Sequence, residues 1–197
     1  MNYINNIVAL FQILKSKTYS YYQNYPLNNS VDRIDENKPI VDKIYYFFGQ
    51  PSLIIENENI KIYLGSGYNA ANYDILNGLN ITHIINVTDE IPNYHQEYFN
   101  YLQIPIFDNT EGSLQDSFPA IDEFIDNNQQ KKILFVHCYQ GASRSASVVL
   151  YLLIKYFNYN LEEGQLFLNE KHPIVNINRN FIHELEMISN YTDQHLK

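Results

Sequence analysis

At 197 residues with a formal net charge of -9, the chain is long enough for one domain with a sizeable core. Its charge has the wrong sign for general binding to nucleic acid or an anionic membrane. A single cysteine excludes internal disulfides and a zinc–thiolate cluster. No apolar run approaches the roughly 20 residues that cross a bilayer, and residues 1–14 lack the basic region and cleavage site of a signal peptide, so an intracellular protein, cytoplasmic or nuclear, is expected.

The first 50 residues read as an N-terminal extension. Ile4, Ile7, Val8, Phe11 and Leu14 recur at the spacing of a short amphipathic helix. That helix could pack on the domain, contact a partner or membrane surface, or lie loose. Residues 18–31, rich in Tyr, Asn and Ser, read as loop, and residues 40–48 as a helix or strand of unassigned role. From 51 to 190 the pattern is that of one domain, with 191–197 as a tail. Ile60, Ile62 and Leu64 predict a strand ending at Gly65, and residues 70–76 a short helix before a turn at Gly78. Mostly apolar runs predict strands over 83–87 and 102–106. Phe118, Ile121, Phe124 and Ile125 predict a helix within 113–127, with Asp122, Glu123 and Asp126 on its wet face. Lys131 and Lys132 read as the solvated entrance to the next strand. That strand, 133–136, is continuously apolar, as a central strand covered on both faces would be. A buried helix is predicted over 143–156, and two more over 161–169 and 178–188, split at Pro173. Strands alternating with helices argue an α/β fold, a central mixed, largely parallel sheet flanked by helices.

The chemistry concentrates where the 133–136 strand ends. The stretch His137-Cys138-Tyr139-Gln140-Gly141-Ala142-Ser143-Arg144-Ser145 joins that strand to the 143–156 helix. This is the carboxyl edge at which open α/β sheets bind ligands. Gly141 lets the loop turn with its amides inward. Inward N–H groups and a helix N-terminus together make a nest for a tetrahedral dianion. Arg144 adds a planar fork able to grip two phosphate oxygens. The same groups would lower the Cys138 thiol from about 8.5 into the range of roughly 3.5–7.5, giving a thiolate at neutral pH without a histidine base. His137 leaves the strand on the face opposite to Cys138 and reads as a positioning residue. Ser145 could donate a hydrogen bond to the sulfur and help it leave. A lone cysteine after an apolar strand is commonly core filler. Gly141, Arg144 and Ser145 at cradle positions argue otherwise, as does an arginine that opens a buried helix and so requires an anion or carboxylate. The lysine and glycine spacing of a nucleotide P-loop is missing, and so is a Cys-x-x-Cys redox pair.

Residues 137–145 resemble the Cys-x5-Arg signature of the protein tyrosine phosphatase superfamily, in the variant of the dual-specificity phosphatases. Tyr63-Leu64-Gly65-Ser66, the run from Leu79 to Val87, Tyr101 to Ile106, and Pro173 with Asn178 and Phe181 are similar too. The resemblance covers residues 52–189 and implies the phosphatase-like α/β fold. It implies Cys138 as nucleophile, Arg144 as the clamp on phosphate and transition state, and Ser145 as the hydroxyl that aids turnover of a cysteinyl-phosphate. The amides of Tyr139, Gln140, Gly141, Ala142, Ser143 and Arg144 would be the phosphate loop. It also implies an aspartate on a separate loop as general acid. The family's Ile-Pro-x-x-Asp pattern is Ile104-Pro105-Ile106-Phe107-Asp108 here, which points to Asp108 ahead of Asp116, Asp89 and Glu90. Asn109 is either a helper of the acid loop or substrate, or a plain turn residue. The segment from His172 to Leu185 departs from the family's Arg-Pro…Pro-Asn-x-Gly-Phe-x-x-Gln-Leu pattern at packing and turn positions.

The activity implied is two-step hydrolysis of phosphotyrosine and of phosphoserine or phosphothreonine through a phosphocysteine, with no metal or cofactor. Phosphorylated proteins are the expected partners, and phosphate or another oxyanion the expected occupant of the cradle. The N-terminal helix is a further candidate for partner contact. The variable loop residues Tyr139 to Ser143 are uncharged, which weighs against phosphoinositide head groups and RNA 5′-triphosphates. The alternative from another class is a phosphoprotein-binding pseudophosphatase or scaffold; a phosphoinositide phosphatase is the lesser alternative.

Overall fold

The computed structural model describes residues 49–108, 112–126 and 130–195, with side chains as far as Ser189. The N-terminal helix, the assignments over 18–31 and 40–48, Asn109 and the last residue of the 113–127 helix lie outside the described residues.

The strands are β1 Ser52–Glu56, β2 Ile60–Ser66, β3 His83–Asn86, β4 Asn100–Gln103 and β5 Lys132–Cys138. They form one sheet in the order β1-β2-β5-β3-β4. β5 takes the centre because it is apolar on both faces: Leu134, Phe135 and Val136 are all fully buried. It runs parallel to β2, with Ser66 opposite Cys138, and parallel to β3, with Asn86 opposite His137. β4 is parallel to β3, and only β1 is antiparallel, at the opposite edge. The carboxyl ends of β2, β3 and β5 therefore emerge on one rim.

The helices are α1 Gly67–Ala70, α2 Tyr73–Gly78, α3 Phe118–Asp126, α4 Arg144–Phe157, α5 Leu161–Lys171 and α6 Arg179–His195. Strand alternation sorts the core into two layers. Ile62, Leu64, Ile85, Leu134 and Val136 pack with Ile121 of α3, Leu150 of α4, Leu168 of α5 and Phe181 of α6. Tyr63, Ile84 and Phe135 face the other way, under Ala70, Leu76, Ile81 and Phe99. α4 is buried from Arg144 to Ile154 and ends where Asn158 enters the left-handed region at φ 59°. At roughly 1.5–3 kcal/mol for each fully buried Leu, Ile or Val, α4 is the element that fastens the site to the core. No helix among the described residues is long and apolar enough to cross a membrane.

The structure corrects several local expectations. The 70–76 helix is two helices. Ser66 caps α1, and Asn72 Oδ1 accepts the Ile75 N–H at 3.2 Å to start α2. The strand expected over 102–106 stops at Gln103, because Pro105 has no N–H to give a ladder and the Ile106 N–H turns back to Ile104 O at 2.9 Å. The 113–127 helix opens with a 3₁₀ turn, Gln115–Ser117. Glu184 accepts the N–H groups of Leu114 and Gln115 there, at 2.8 and 2.6 Å. Asp122 is not simply wet: it accepts from the Tyr151 and Tyr156 hydroxyls and pairs with Lys155. Lys132 is buried rather than solvated, while Lys131 pairs with Glu56.

Candidate active site

β5 carries Cys138 into full burial at the rim, as the floor of the loop that follows. The Cys138 sulfur accepts the Gly141 N–H at 3.3 Å and the Ser145 hydroxyl at 3.1 Å. Gly141 sits at φ +82°, and a Cβ added there would meet Gly65 O at 2.8 Å. Glycine is thus required twice, for the turn and for backbone-to-backbone contact with β2. The Gly67 N–H donates to Tyr139 O at 3.1 Å and the Asn176 N–H to Ala142 O at 2.9 Å, so the loop is held from both flanks. Ser143 occupies the N-cap of α4 but makes no side-chain cap bond.

Arg144, at the first position of α4, is 2 % exposed. Its Nη1 and Nη2 donate to the two carboxylate oxygens of Glu90 at 3.0 and 2.7 Å, and Nη1 also donates to Ile106 O at 3.2 Å. Glu90 thereby takes the terminal edge of the guanidinium; its other edge, Nε with Nη2, is a second fork of parallel N–H bonds. Burial pushes the Glu90 carboxyl up, yet the hydrogen bonds and charge of Arg144 outweigh it and hold the group below its ordinary value. Adjacent Asp89 is raised by burial and by its neighbour Glu90. A polar network sets this loop. Fully buried Asn86 donates through Nδ2 to Ile91 O at 2.7 Å and Asn93 Oδ1 at 2.9 Å. Asn86 Oδ1 accepts from the Thr88 hydroxyl at 2.7 Å, whose oxygen accepts the Ile91 N–H at 3.1 Å. Asp89 and Glu90 are the two residues spanned by that closure.

Asp108 is half-buried beyond the end of β4. Its Oδ1 accepts from the Ser143 hydroxyl at 2.9 Å and from Asn178 Nδ2 at 3.2 Å. His137 is fully buried, its ring stacked on Phe135 at 5.4 Å, with Nδ1 3.4 Å from Cys138 O. Burial lowers its pKa to about 4, with the charge of Arg144 acting in the same direction. The ring is therefore neutral at ordinary pH and packs beneath the loop.

The structure brings Cys138, Gly141, Arg144 and Ser145 together, and it brings Asp108 onto Ser143, the residue before Arg144. Ala142 is buried, and Tyr139 and Gln140 are half-buried at the rim. Asp116 lies exposed in the 3₁₀ turn. Sequence reasoning missed Glu90 as the arginine's partner; its signal was the unpaired-cation argument at Arg144, which demanded an acid without saying which. It also missed Ser143 and Asn178 as the groups that hold Asp108. Asn178 stood out only as part of the resemblance.

The chain resembles known proteins in sequence and in fold. The family model described as dual specificity phosphatase, catalytic domain, matches residues 62–190. Protein phosphatase Slingshot homolog 3 of Mus musculus is 35 % identical over 125 residues, covering 63 % of this chain and 19 % of that protein. Dual specificity protein phosphatase 1 of Homo sapiens is 35 % identical over 126 residues, covering 63 % and 34 %. The chain thus spans about a fifth to a third of the length of these curated relatives. The crystal structure of human tyrosine phosphatase-like serine/threonine/tyrosine-interacting protein superposes with TM-score 0.60 at 30 % identity, covering 69 % of this chain and 93 % of that one. Human DUSP28, at 19 % identity and TM-score 0.67 over 75 % of this chain and 98 % of its own, shows the same fold.

Proposed function

This chain belongs to the dual specificity phosphatase family, and we propose that it hydrolyses phosphate monoesters in proteins, on tyrosine and on serine or threonine, through a phosphocysteine on Cys138. The observation that carries this reading is the double donation to the Cys138 sulfur, from the Gly141 N–H and the Ser145 hydroxyl. Donors aimed at a sulfur favour its anion. The start of α4 and the Arg144 charge act in the same sense.

In the first step the thiolate attacks phosphorus. The S–P bond forms as the ester P–O bond breaks, and the electron pair goes to the leaving oxygen, which takes a proton from Asp108. Loop amides and the second fork of Arg144 stabilise the equatorial oxygens. In the second step water attacks phosphorus and gives a proton to Asp108. The S–P bond breaks and the sulfur departs as thiolate onto the hydrogen bonds of Ser145 and Gly141. Glu90 keeps the guanidinium fixed throughout. The uncharged rim residues Tyr139 and Gln140 support a protein monoester as substrate over a highly anionic lipid head group.

A phosphopeptide array run beside a phosphoinositide panel, with native protein and Cys138→Ser, tests the reading. Release of phosphate from peptides by the native protein, with none from Cys138→Ser but retained capture of phosphopeptides, is expected. Release from phosphoinositides alone would overturn the substrate class. Capture without release by the native protein would replace hydrolysis with phosphoprotein binding.

A further inference from the structure

We propose that Ser143 and Asn178 are positioning residues for the general acid: they pin one carboxylate oxygen of Asp108 and so assign its proton to the other. The proposal rests on the reading of Asp108 as the acid.

The hydrogen-bond directions are settled by their neighbours. The Ser143 oxygen accepts the backbone N–H of Asn178 at 3.1 Å, so its own hydrogen is turned to Asp108 Oδ1 at 2.9 Å. The Asn178 side-chain oxygen accepts the Asn180 N–H at 3.1 Å. That fixes the amide with its NH2 group toward Asp108 Oδ1, at 3.2 Å. Asp108, Ser143 and Asn178 thus close a triangle. It ties three segments far apart in the chain: the stretch after β4, the turn into α4, and the residue that precedes α6.

Consider the protonated acid. One carboxyl oxygen is a pure acceptor, and the other carries the hydrogen. A proton on Oδ1 would point an O–H at two donors, whereas a proton on Oδ2 leaves both hydrogen bonds intact. The latch therefore selects the Oδ2-protonated form. In the first step that Oδ2 proton passes to the leaving oxygen as the P–O bond breaks. In the second step Oδ2 takes a proton from the water whose oxygen bonds to phosphorus, while Oδ1 keeps both of its donors. The acid can change protonation state without moving its anchor, and such preorganisation is where small displacements become large rate losses.

The test compares an aryl phosphate with a good leaving group, p-nitrophenyl phosphate, and one with a poor leaving group, phenyl phosphate. Both are measured with Asn178→Ala, with Ser143→Ala (which removes only a hydroxyl and leaves the loop backbone in place), and with Asp108→Ala. The expected result for each latch variant is a fall in kcat about tenfold larger on phenyl phosphate than on p-nitrophenyl phosphate. Neither should lower the rate further in an Asp108→Ala background. A merely structural defect would slow both substrates alike and would add to the loss from Asp108→Ala; that result overturns the proposal. If Asp108→Ala itself slows both substrates equally, the assignment of the acid has failed. If Asp108→Ala discriminates between the leaving groups and the two latch variants do not, only the latch has failed.

Discussion

Two segments meet at Ser143 and Arg144, and they are built in opposite ways. The signature loop, residues 138–144, is held by backbone: Gly141 against Gly65, Gly67 on Tyr139, Asn176 on Ala142. The acid segment, residues 104–108, follows the edge strand β4; the Ile104 N–H still donates to Asn86 O at 2.8 Å, and past it the chain leaves the ladder. Ile104 and Ile106 are buried, but Pro105 and Phe107 face solvent, and past Ile104 the side chains of Arg144, Ser143 and Asn178 hold the segment. The difference has a consequence for errors. Under the proposed mechanism, a change in the first segment would deform the cradle for every phosphate ester. A change in the second would leave the cradle standing and impair proton delivery, which matters only when the leaving group is poor.

The largest effect is expected at Arg144. Arg144→Lys keeps the charge but cannot serve the Glu90 carboxylate and a phosphate with two forks at once. A loss in kcat of about 10²–10³-fold is expected, equal for good and poor leaving groups. A loss that grew with leaving-group basicity would erase the distinction between the two segments. Next comes Gly141→Ala. Its Cβ would sit at φ +82° and 2.8 Å from Gly65 O, so urea unfolding should report a destabilisation of about 1–3 kcal/mol. Displacing the amide that faces the sulfur should lower kcat by about 10²-fold. A stable, fully active alanine variant would show that the loop is not set by backbone contact.

The same division governs what could be read from sequence. β5 announced itself because a central strand buried on both faces must be apolar at every position, and the loop because Cys138, Gly141 and Arg144 are each demanded locally. β1 went unseen: of Ser52 to Glu56 only Ile54 is buried, and the pairing is interrupted by a bulge between Leu53 and Ile55. Residues 102–106 imitated a strand because Ile104 and Ile106 alternate into the core even though Pro105 ends the pairing. Glu90 and Asn178 were illegible for another reason. They meet Arg144 and Asp108 across 54 and 70 residues, and no local pattern encodes which distant polar group closes such a contact.

Glu90 sharpens the comparison because it is a side-chain support within the backbone-held region. Glu90→Gln removes a charge while preserving shape. The guanidinium then loses its two-point partner and turns more freely, so kcat should fall by about tenfold. The lost negative charge no longer opposes a bound dianion, so KM should stay level or drop. Steady-state kinetics on p-nitrophenyl phosphate separate the two. A raised KM with unchanged kcat would mean that Glu90 aids ground-state binding rather than orientation.

The smallest effect at neutral pH, and the most direct probe of how closed the fixed region is, belongs to His137. The buried ring has its pKa lowered from 6.5 to about 4. Above pH 6.5 neither the folded nor the unfolded chain protonates it. As pH falls through that value the unfolded chain takes up a proton that the folded domain refuses until about pH 4, so stability is lost across this window. Its slope for one proton is about 1.4 kcal/mol per pH unit, or about 3 kcal/mol in all. Half-buried His83, lowered by burial and by Lys132, adds loss in the same direction, so bulk unfolding curves cannot separate the two imidazoles. Following the His137 ring by NMR can: its resonances should stay at the neutral position down to about pH 5 while activity shows no limb near 6.5. A His137 midpoint near 6.5 would mean that water reaches the floor of the loop. The contrast between a backbone-fixed cradle and a side-chain-held acid would then lose its physical basis, since a hydrated floor could not hold the Cys138 sulfur against two donors as the site requires.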